Sequence, residues 1–483
     1  MLLSDAVPQN VSTVLGVTHP FFYRIGIDDL WIERCIVYAD YRDRFASIPY
    51  VTGSFKQKVN IPEAVLLLVA MSHMVIVCKL IPNGSLQKAT CERLIFWAPL
   101  ERIRQLSDVG YYPDSRMSMK DTANMVKRWK SIGDVPPVYP NGWFAVIESH
   151  KLPIKAVKNT HLLGMQLCVF RDENGEAHVI DAYCPHMGAN LAVGGVVKGD
   201  CVECPFHAWR FRGEDGKCTH IPYAEKAPEV AKVKSWPVSE MNGFVHMWYH
   251  AEDLDPQWMI PEIETIASGQ FVYRGRTEHH VNAHIEEIPE NGADVAHLGH
   301  LHSPSITLGI DVDTIRKKYW DLGVQHNWDA QWEPLANPDK KHISTIKLKH
   351  KMTLFGIAVP ILDLKVYAEQ IGPGIVYMHW TSVLGSGIFQ HYLTPEEPLE
   401  QKLVHNIYTD WRMPPFISKF FLMAEAIQVE RDMSIWNNKK FISKPVLSKS
   451  KECSMISKHR RWYSQFYSEN SPRLKFQKDT LDW

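Results

Sequence analysis

Two short stretches carry the residue types of a metal site. Cys184-Pro185-His186 is followed, after a gap of seventeen residues, by Cys204-Pro205-Phe206-His207. Each offers one soft thiolate and one imidazole, so two loops together supply four ligands. That donor set suits a single zinc ion or a two-iron cluster with two kinds of iron. Zinc sites more often set cysteine pairs against histidine pairs or use CxxC knuckles, and Cys201 with Cys204 does form a CxxC. Both pairs here run Cys then His, however, and a proline after each cysteine stiffens the turn. The order favours the cluster: both cysteines on one iron, both histidines on the other, with neutral imidazoles raising the potential.

A second set follows in Asn291-Gly292-Ala293-Asp294-Val295-Ala296-His297-Leu298-Gly299-His300-Leu301-His302. An iron that activates dioxygen takes two histidines and one carboxylate and keeps open positions. Five residues on a straight helix are offset by about 140°, so His297 and His302 would diverge. Gly299 between them permits a bend that lets them converge. His300, three residues after His297, is a rival. A carboxylate would have to come from far downstream, where QVERDMSIWNNKKF, Gln428 to Phe441, holds Asp432 among its acids. Ile435, Trp436 and Lys439 follow Asp432 at the spacing of a helix face. Glu430 is the nearby alternative, but two residues away on a helix it points elsewhere. Taken singly, each of these acids would be an ordinary solvated surface group.

These residues need elements to hold them. The runs WFAVIES, HLLGMQLCVF and HVIDAY read as short strands, and Glu173-Asn174-Gly175 reads as the turn of a hairpin. The Cys-His pairs therefore sit on loops of a small all-β domain, 137–250, which opens after the Pro- and Gly-rich punctuation of VPPVYPNGW. A larger domain, 251–445, follows. Its alternating runs, among them HISTIKLKHKMTLF and GIVYMHWTSVL, read as antiparallel strands, and a long helical pattern from Phe416 to Lys440 closes it. The basic, aromatic tail 446–483 (HRRWYSQFY) reads as a strap laying its aromatics on that domain. Upstream, 82–136 reads as a linker rich in charge and amphipathic helix, and 1–63 as an N-terminal region without clear periodicity. The expected class is α+β: an N-terminal hydrophobic helix, an all-β domain, then an antiparallel sheet with helices.

Composition bounds the rest. The 483 residues exceed one ordinary core, and 45% hydrophobic with 22% charged residues are the proportions of a folded chain. A net charge of -1 argues against a nucleic-acid partner. Nine scattered cysteines form no disulfide framework, and the first thirty residues show no secretory signal. The stretch AVLLLVAMSHMVIVCKLI at 64–81 is barely long enough to span a bilayer, where roughly 17–25 apolar residues are needed. His73 in its middle is costly in lipid, and Lys79 near its end is able to snorkel. The alternative is a buried helix; the expectation is a single-pass membrane protein. No GxGxxG follows a strand, so electrons must arrive from a separate reductase.

The motifs resemble those of the Rieske non-haem iron oxygenases: Cys-x-His, a gap, Cys-x-x-His, then Asp-x-x-His-x-x-x-x-His. The resemblance covers about residues 137 to 470 and is strongest to the animal cholesterol 7-desaturase branch. It implies a [2Fe-2S] cluster on Cys184, His186, Cys204 and His207. It implies mononuclear Fe(II) on His297, His302 and Asp432, within a catalytic domain of helix-grip type. Respiratory Rieske proteins carry two bridging cysteines where this chain has Ala189 and Phe206, which implies the lower-potential, oxygenase type of cluster. Cys201 falls outside the pattern and reads as a structural thiol. Asp294 is implied as an electron bridge between a cluster histidine of one subunit and an iron histidine of its neighbour, in a head-to-tail homotrimer. A sterol such as cholesterol, dioxygen, and electrons from NAD(P)H through a reductase or ferredoxin are the implied reactants. A hydroxylase outcome and, from another class, a non-catalytic electron carrier or zinc-stabilised module stand as alternatives. The implied location is the endoplasmic-reticulum membrane, with the catalytic domains cytosolic.

Overall fold

The computed structural model describes residues 99–112, 117–316 and 324–474. Pro99–Ser305 and Ile310 onward belong to one compact unit, and the elements below are all within it. The stretch expected to be a linker contributes two of them. Strand β1 (Leu100–Arg104) pairs in parallel with the first long strand of the large domain. Helix α1 (Met119–Trp129) starts at Ser118, whose hydroxyl accepts from the Asp121 amide as an N-cap.

The small domain is built from eleven short strands. β2 (Gly142–Glu148), β3 (Val157–Leu162), β4 (Met165–Arg171) and β5 (Ala177–Asp181) open it. β6 (Val196–Lys198), β7 (Cys201–Glu203), β8 (Arg210–Arg212) and β9 (Cys218–His220) form a separate antiparallel sheet. β10 (Ser235–Trp236) joins β5-β4-β3, and β11 (Val238–Met241) with β12 (Phe244–Tyr249) joins β2. The expected hairpin is the β4–β5 turn. There the Asp172 carboxylate accepts from the amides of Asn174 and Glu176 at 2.9 and 2.8 Å, and Gly175 takes a φ of 94° that suits a residue without Cβ.

The large domain has one twisted sheet. Its strands are β13 (Phe271–Asn282), β14 (Val324–Pro334), β15 (Ile343–Leu354), the short β16 (Ile357–Ala358), β17 (Leu364–Ile371), β18 (Ile375–Ser382), β19 (Gly385–Glu397) and β20 (Glu400–Asp410). The order is β1-β13-β20-β19-β18-β17-β15-β14, with β16 beside β15. Period-two patterning sets the faces: Lys347, Lys349 and Lys351 of β15 are exposed while His350 between them is buried. Helix α2 (Val295–Leu301) lies beside β14, and the long helix α3 (Pro415–Trp436) packs on β13 and β20. Proline at its first turn suits a helix start, where the missing N–H would have had no partner. Helix α4 (Lys451–Tyr463) sets Trp462 and Tyr463, with Phe466 just beyond, in a cluster with Trp332 of β14.

One expectation is overturned here. The apolar stretch 64–81 lies outside the described residues, and among the described residues no helix is long and apolar enough to cross a membrane. The longest, α3, has 22 residues but carries Lys419, Glu425, Glu430, Arg431 and Asp432, which lipid would not accommodate. The single-pass membrane assignment, and with it the endoplasmic-reticulum location, is therefore withdrawn. The apolar stretch Gly356 to Leu364 is largely on the surface: Ile357 is 73% exposed.

Candidate metal centres

The two Cys-His loops fold alike. The Cys184 carbonyl accepts from the Gly188 amide at 2.9 Å, and the Cys204 carbonyl accepts from the Ala208 amide at 3.0 Å. In turn the Cys184 amide donates to the Ala189 carbonyl at 2.9 Å, and the Cys204 amide to the Trp209 carbonyl at 2.7 Å. The fourth residue after each cysteine closes its turn with left-handed backbone, Gly188 at φ 72° and Ala208 at φ 57°. Ala208 has a Cβ and adopts this conformation against its preference.

These matched turns bring the four side chains together. Both thiols are buried side by side, and burial with the Cys204 thiol as neighbour pushes Cys184 up to about 11. A cation that displaces the proton reverses that cost, as metal ligation by thiolate does. The imidazoles of His186 and His207 lie 4.7 Å apart between ring centres; His186 is exposed and His207 half-buried. Trp209 stacks on His186 at 4.5 Å with 11° between planes, and its indole N–H donates to the Tyr223 hydroxyl at 2.8 Å. Cys201 is engaged elsewhere: its Sγ lies 3.1 Å from Asp200 Oδ1 and 3.3 Å from Thr219 Oγ1. Two thiols inside and two imidazoles at the rim fit a cluster with a buried iron and an outward one.

The second set converges as well. His302 Nε2 lies 3.1 Å from Asp432 Oδ1, His297 Nε2 lies 3.9 Å from the same oxygen, and the two rings are 4.9 Å apart. The remaining ring nitrogens are spoken for. His302 Nδ1 donates to Gln428 Oε1 at 2.6 Å, and His297 Nδ1 donates to the Asp294 carbonyl. Both imidazoles are thereby set with Nε2 bare and aimed inward, the tautomer a metal ligand requires. Two neutral nitrogens and one carboxylate fit Fe(II) with positions left open.

The convergence has a different cause from the expected bend. Gly299 stays within α2, and the helix ends at Leu301, leaving His302 as its C-cap with φ opened to −103°. His300 is exposed and stands outside the set. Asp294 caps the N-terminus of α2, and its carboxylate makes no capping bond to the helix amides. Glu430 points away from the histidine pair: Arg102 donates to it through Nε and Nη2, both at 2.9 Å, Arg104 Nε donates at 3.1 Å, and His279 Nε2 lies 3.3 Å away. It ties β1 to α3.

Two positioning residues were not singled out from the sequence. Gln428 lies four residues before Asp432, a helix-face spacing that could have flagged it. Arg431 donates to the carbonyls of Leu301, Pro304 and Ser305 at 3.3, 2.9 and 2.7 Å, holding the chain around His302. Nothing in local sequence marks that role.

Residues 142–237 match the Rieske [2Fe-2S] domain family, and residues 247–467 match the 3-Ketosteroid 9alpha-hydroxylase C-terminal domain family. The chain is 53% identical over 397 residues to Cholesterol 7-desaturase nvd of Xenopus laevis, covering 81% of this chain and 87% of that protein. It is 48% identical over 384 residues to Cholesterol 7-desaturase nvd 1 of Ciona intestinalis, covering 79% and 80%. Among solved structures, dicamba monooxygenase bound to dicamba aligns with a TM-score of 0.48 at 16% identity, covering 68% of this chain and 97% of that one.

Proposed function

Because this chain belongs to the cholesterol 7-desaturase family of Rieske oxygenases, we propose that it converts cholesterol to 7-dehydrocholesterol, a step of steroid hormone biosynthesis. It is an oxidoreductase with a Rieske cluster, a mononuclear iron, dioxygen as oxidant and electrons supplied by a separate reductase. NAD(P)H is the ultimate donor in this reading. The sterol gives up two hydrogens and gains a double bond; those two hydrogens, together with dioxygen, two electrons and two protons, leave as two waters.

The observation that carries the reading is the convergence of His297, His302 and Asp432 in the same chain as the paired Cys-His loops. An electron carrier or a zinc-stabilised module has no use for the second set. Bound there, the two metal groups would supply one-electron transfer and dioxygen activation. Cys184, His186, Cys204 and His207 would hold the cluster, and His297, His302 and Asp432 the iron. Gln428 and the Asp294 carbonyl keep Nε2 of each imidazole free and directed. The all-β unit 137–250 would deliver electrons and 251–445 would oxidise the sterol.

The assembly is a head-to-tail homotrimer in this reading, with Asp294 as the electron bridge to a neighbour's cluster. The outward His186 and the exposed apolar side chains around it, Tyr183, Met187 and Phe206, support a docked neighbour at this rim.

A steroid hydroxylase is the second reading, favoured by the C-terminal domain match. Product mass decides. The holoenzyme with a reductase, NAD(P)H and cholesterol is expected to give a product two hydrogens lighter; a product heavier by one oxygen would establish hydroxylation instead.

A further inference from the structure

A second histidine-carboxylate set lies between α3 and the sheet. His391 on β19 and His405 on β20 are direct cross-strand partners. Their rings stack at 3.7 Å with 14° between planes. Glu425 reaches them from α3, its Oε1 2.5 Å from His405 Nδ1 and 3.4 Å from His391 Nε2. His405 is 2% exposed. Yet His391 Nε2, both nitrogens of His405 and Glu425 Oε2 all lack a partner in hydrogen-bonding geometry. Two of these, His405 Nε2 and Glu425 Oε2, face no contact within the set, and a buried polar atom left so calls for an occupant.

The geometry narrows what that occupant is. A metal needs imidazole lone pairs that converge, and lone pairs lie in the ring plane. Rings stacked nearly parallel aim theirs side by side, unlike the 77° crossing of His297 and His302. Burial drives His391 down to about 3 and Glu425 upward, both toward neutral forms. A hydroxyl both donates and accepts and suits a neutral set of donors and acceptors. The neighbours on the sheet face are mostly apolar: Phe389 lies two residues before His391 with its ring 6.0 Å away, Ile407, Trp380 and Phe421 pack beyond it, and the His279 ring lies 6.3 Å from His405. The ligand is thus a neutral hydroxyl on an apolar body.

Position relates it to the iron set. Glu425 and Asp432 are seven residues apart on α3, two turns along one face, or about 10 Å. A sterol held by its 3-hydroxyl at the first group would place the far side of its two adjoining rings toward the second.

We propose that His391, His405 and Glu425 anchor the 3-hydroxyl of the sterol and set which carbon meets the iron. The proposal rests on the sterol reading above. The test compares cholesterol with 5-cholestene, which lacks only the hydroxyl, in the holoenzyme and in the His405→Phe and Glu425→Gln variants. Equilibrium binding and kcat/KM are measured for each, together with total metal per chain. The parent is expected to favour cholesterol by on the order of tenfold or more. Both variants are expected to lose most of that preference while keeping the parent's metal content and cluster absorption. A parent that oxidises cholesterol but shows no preference for the hydroxyl, or variants that keep the full preference, would overturn the anchor alone. Loss of a bound metal from the variants would overturn it in favour of a metal site. A parent that oxidises no sterol removes the sterol reading and the anchor together.

Discussion

Gln428 Oε1 accepts a hydrogen bond from His302 Nδ1 at 2.6 Å, one helical turn before Asp432 on the same face of α3. One helix thus supplies both the carboxylate that meets the histidine pair and the group that fixes the tautomer of one of those histidines. Gln428→Leu keeps the bulk and removes the acceptor. Iron affinity at the mononuclear site is expected to fall about 10–100-fold, with the cluster absorption intact. Iron titration of the apo-protein, read by metal content and by cluster spectrum separately, checks this; unaltered affinity would free His302 from Gln428.

Asp294 serves His297 through its backbone carbonyl, so its side chain is expendable for metal binding. Asp294→Ala is expected to retain both metal groups and to lose turnover, because only the proposed carboxylate bridge is removed. Single-turnover reduction of the mononuclear site at the parent's rate would eliminate the bridge.

Mixed assemblies separate transfer within a chain from transfer between chains. Cys184→Ser should lack the cluster and Asp432→Ala the mononuclear iron, so each alone is expected to be inactive. Co-expressed, they should regain part of the parent activity, since an intact cluster on one chain would face an intact iron site on its neighbour. Failure to complement, in assemblies shown to be mixed, would place transfer within one chain.

Cys201 is the residue that a CxxC zinc knuckle would need, and its thiol is instead turned to Asp200 and Thr219. Cys201→Ser is expected to keep the full visible absorption of the cluster, whereas Cys204→Ser abolishes it. Bleaching by the Cys201 substitution would reinstate that cysteine as a ligand.

Glu430 sets an acid limit on stability. Burial works against its ionisation, but the His279 hydrogen bond and the Arg102 and Arg104 guanidiniums outweigh it and hold the pKa at about 2, against 4.5 ordinarily. The folded value lies below the unfolded one, so the stabilisation is complete above about 4.5 and is lost as pH falls toward about 2. Glu430→Gln is expected to destabilise the fold by about 3 kcal/mol at neutral pH, as removal of one member of a buried ion pair does. The gap in thermal midpoint between variant and parent should narrow as the pH drops through that window. A gap that stays constant down to pH 2 would remove the ion pair from the stability argument.

What the sequence by itself determined was local. Ligand types, their order within each short loop and the helical phase of Asp432 all depend on residues a few positions apart, where backbone geometry relates them directly. The alternation of HISTIKLKHKMTLF likewise announced strand β15. Strand β1 was not legible for the complementary reason. Leu100–Arg104 is too short to show its pattern and becomes a strand only because β13 offers it an edge. His300 and His302 could not be told apart, because the choice turns on where α2 ends, and that end is held by Arg431 and Gln428 from another helix. The set of His391, His405 and Glu425 was invisible altogether. It exists only once the register of β19 against β20 places two histidines face to face and α3 lies across them, and strand register is decided by the packing of the whole sheet rather than by any single strand.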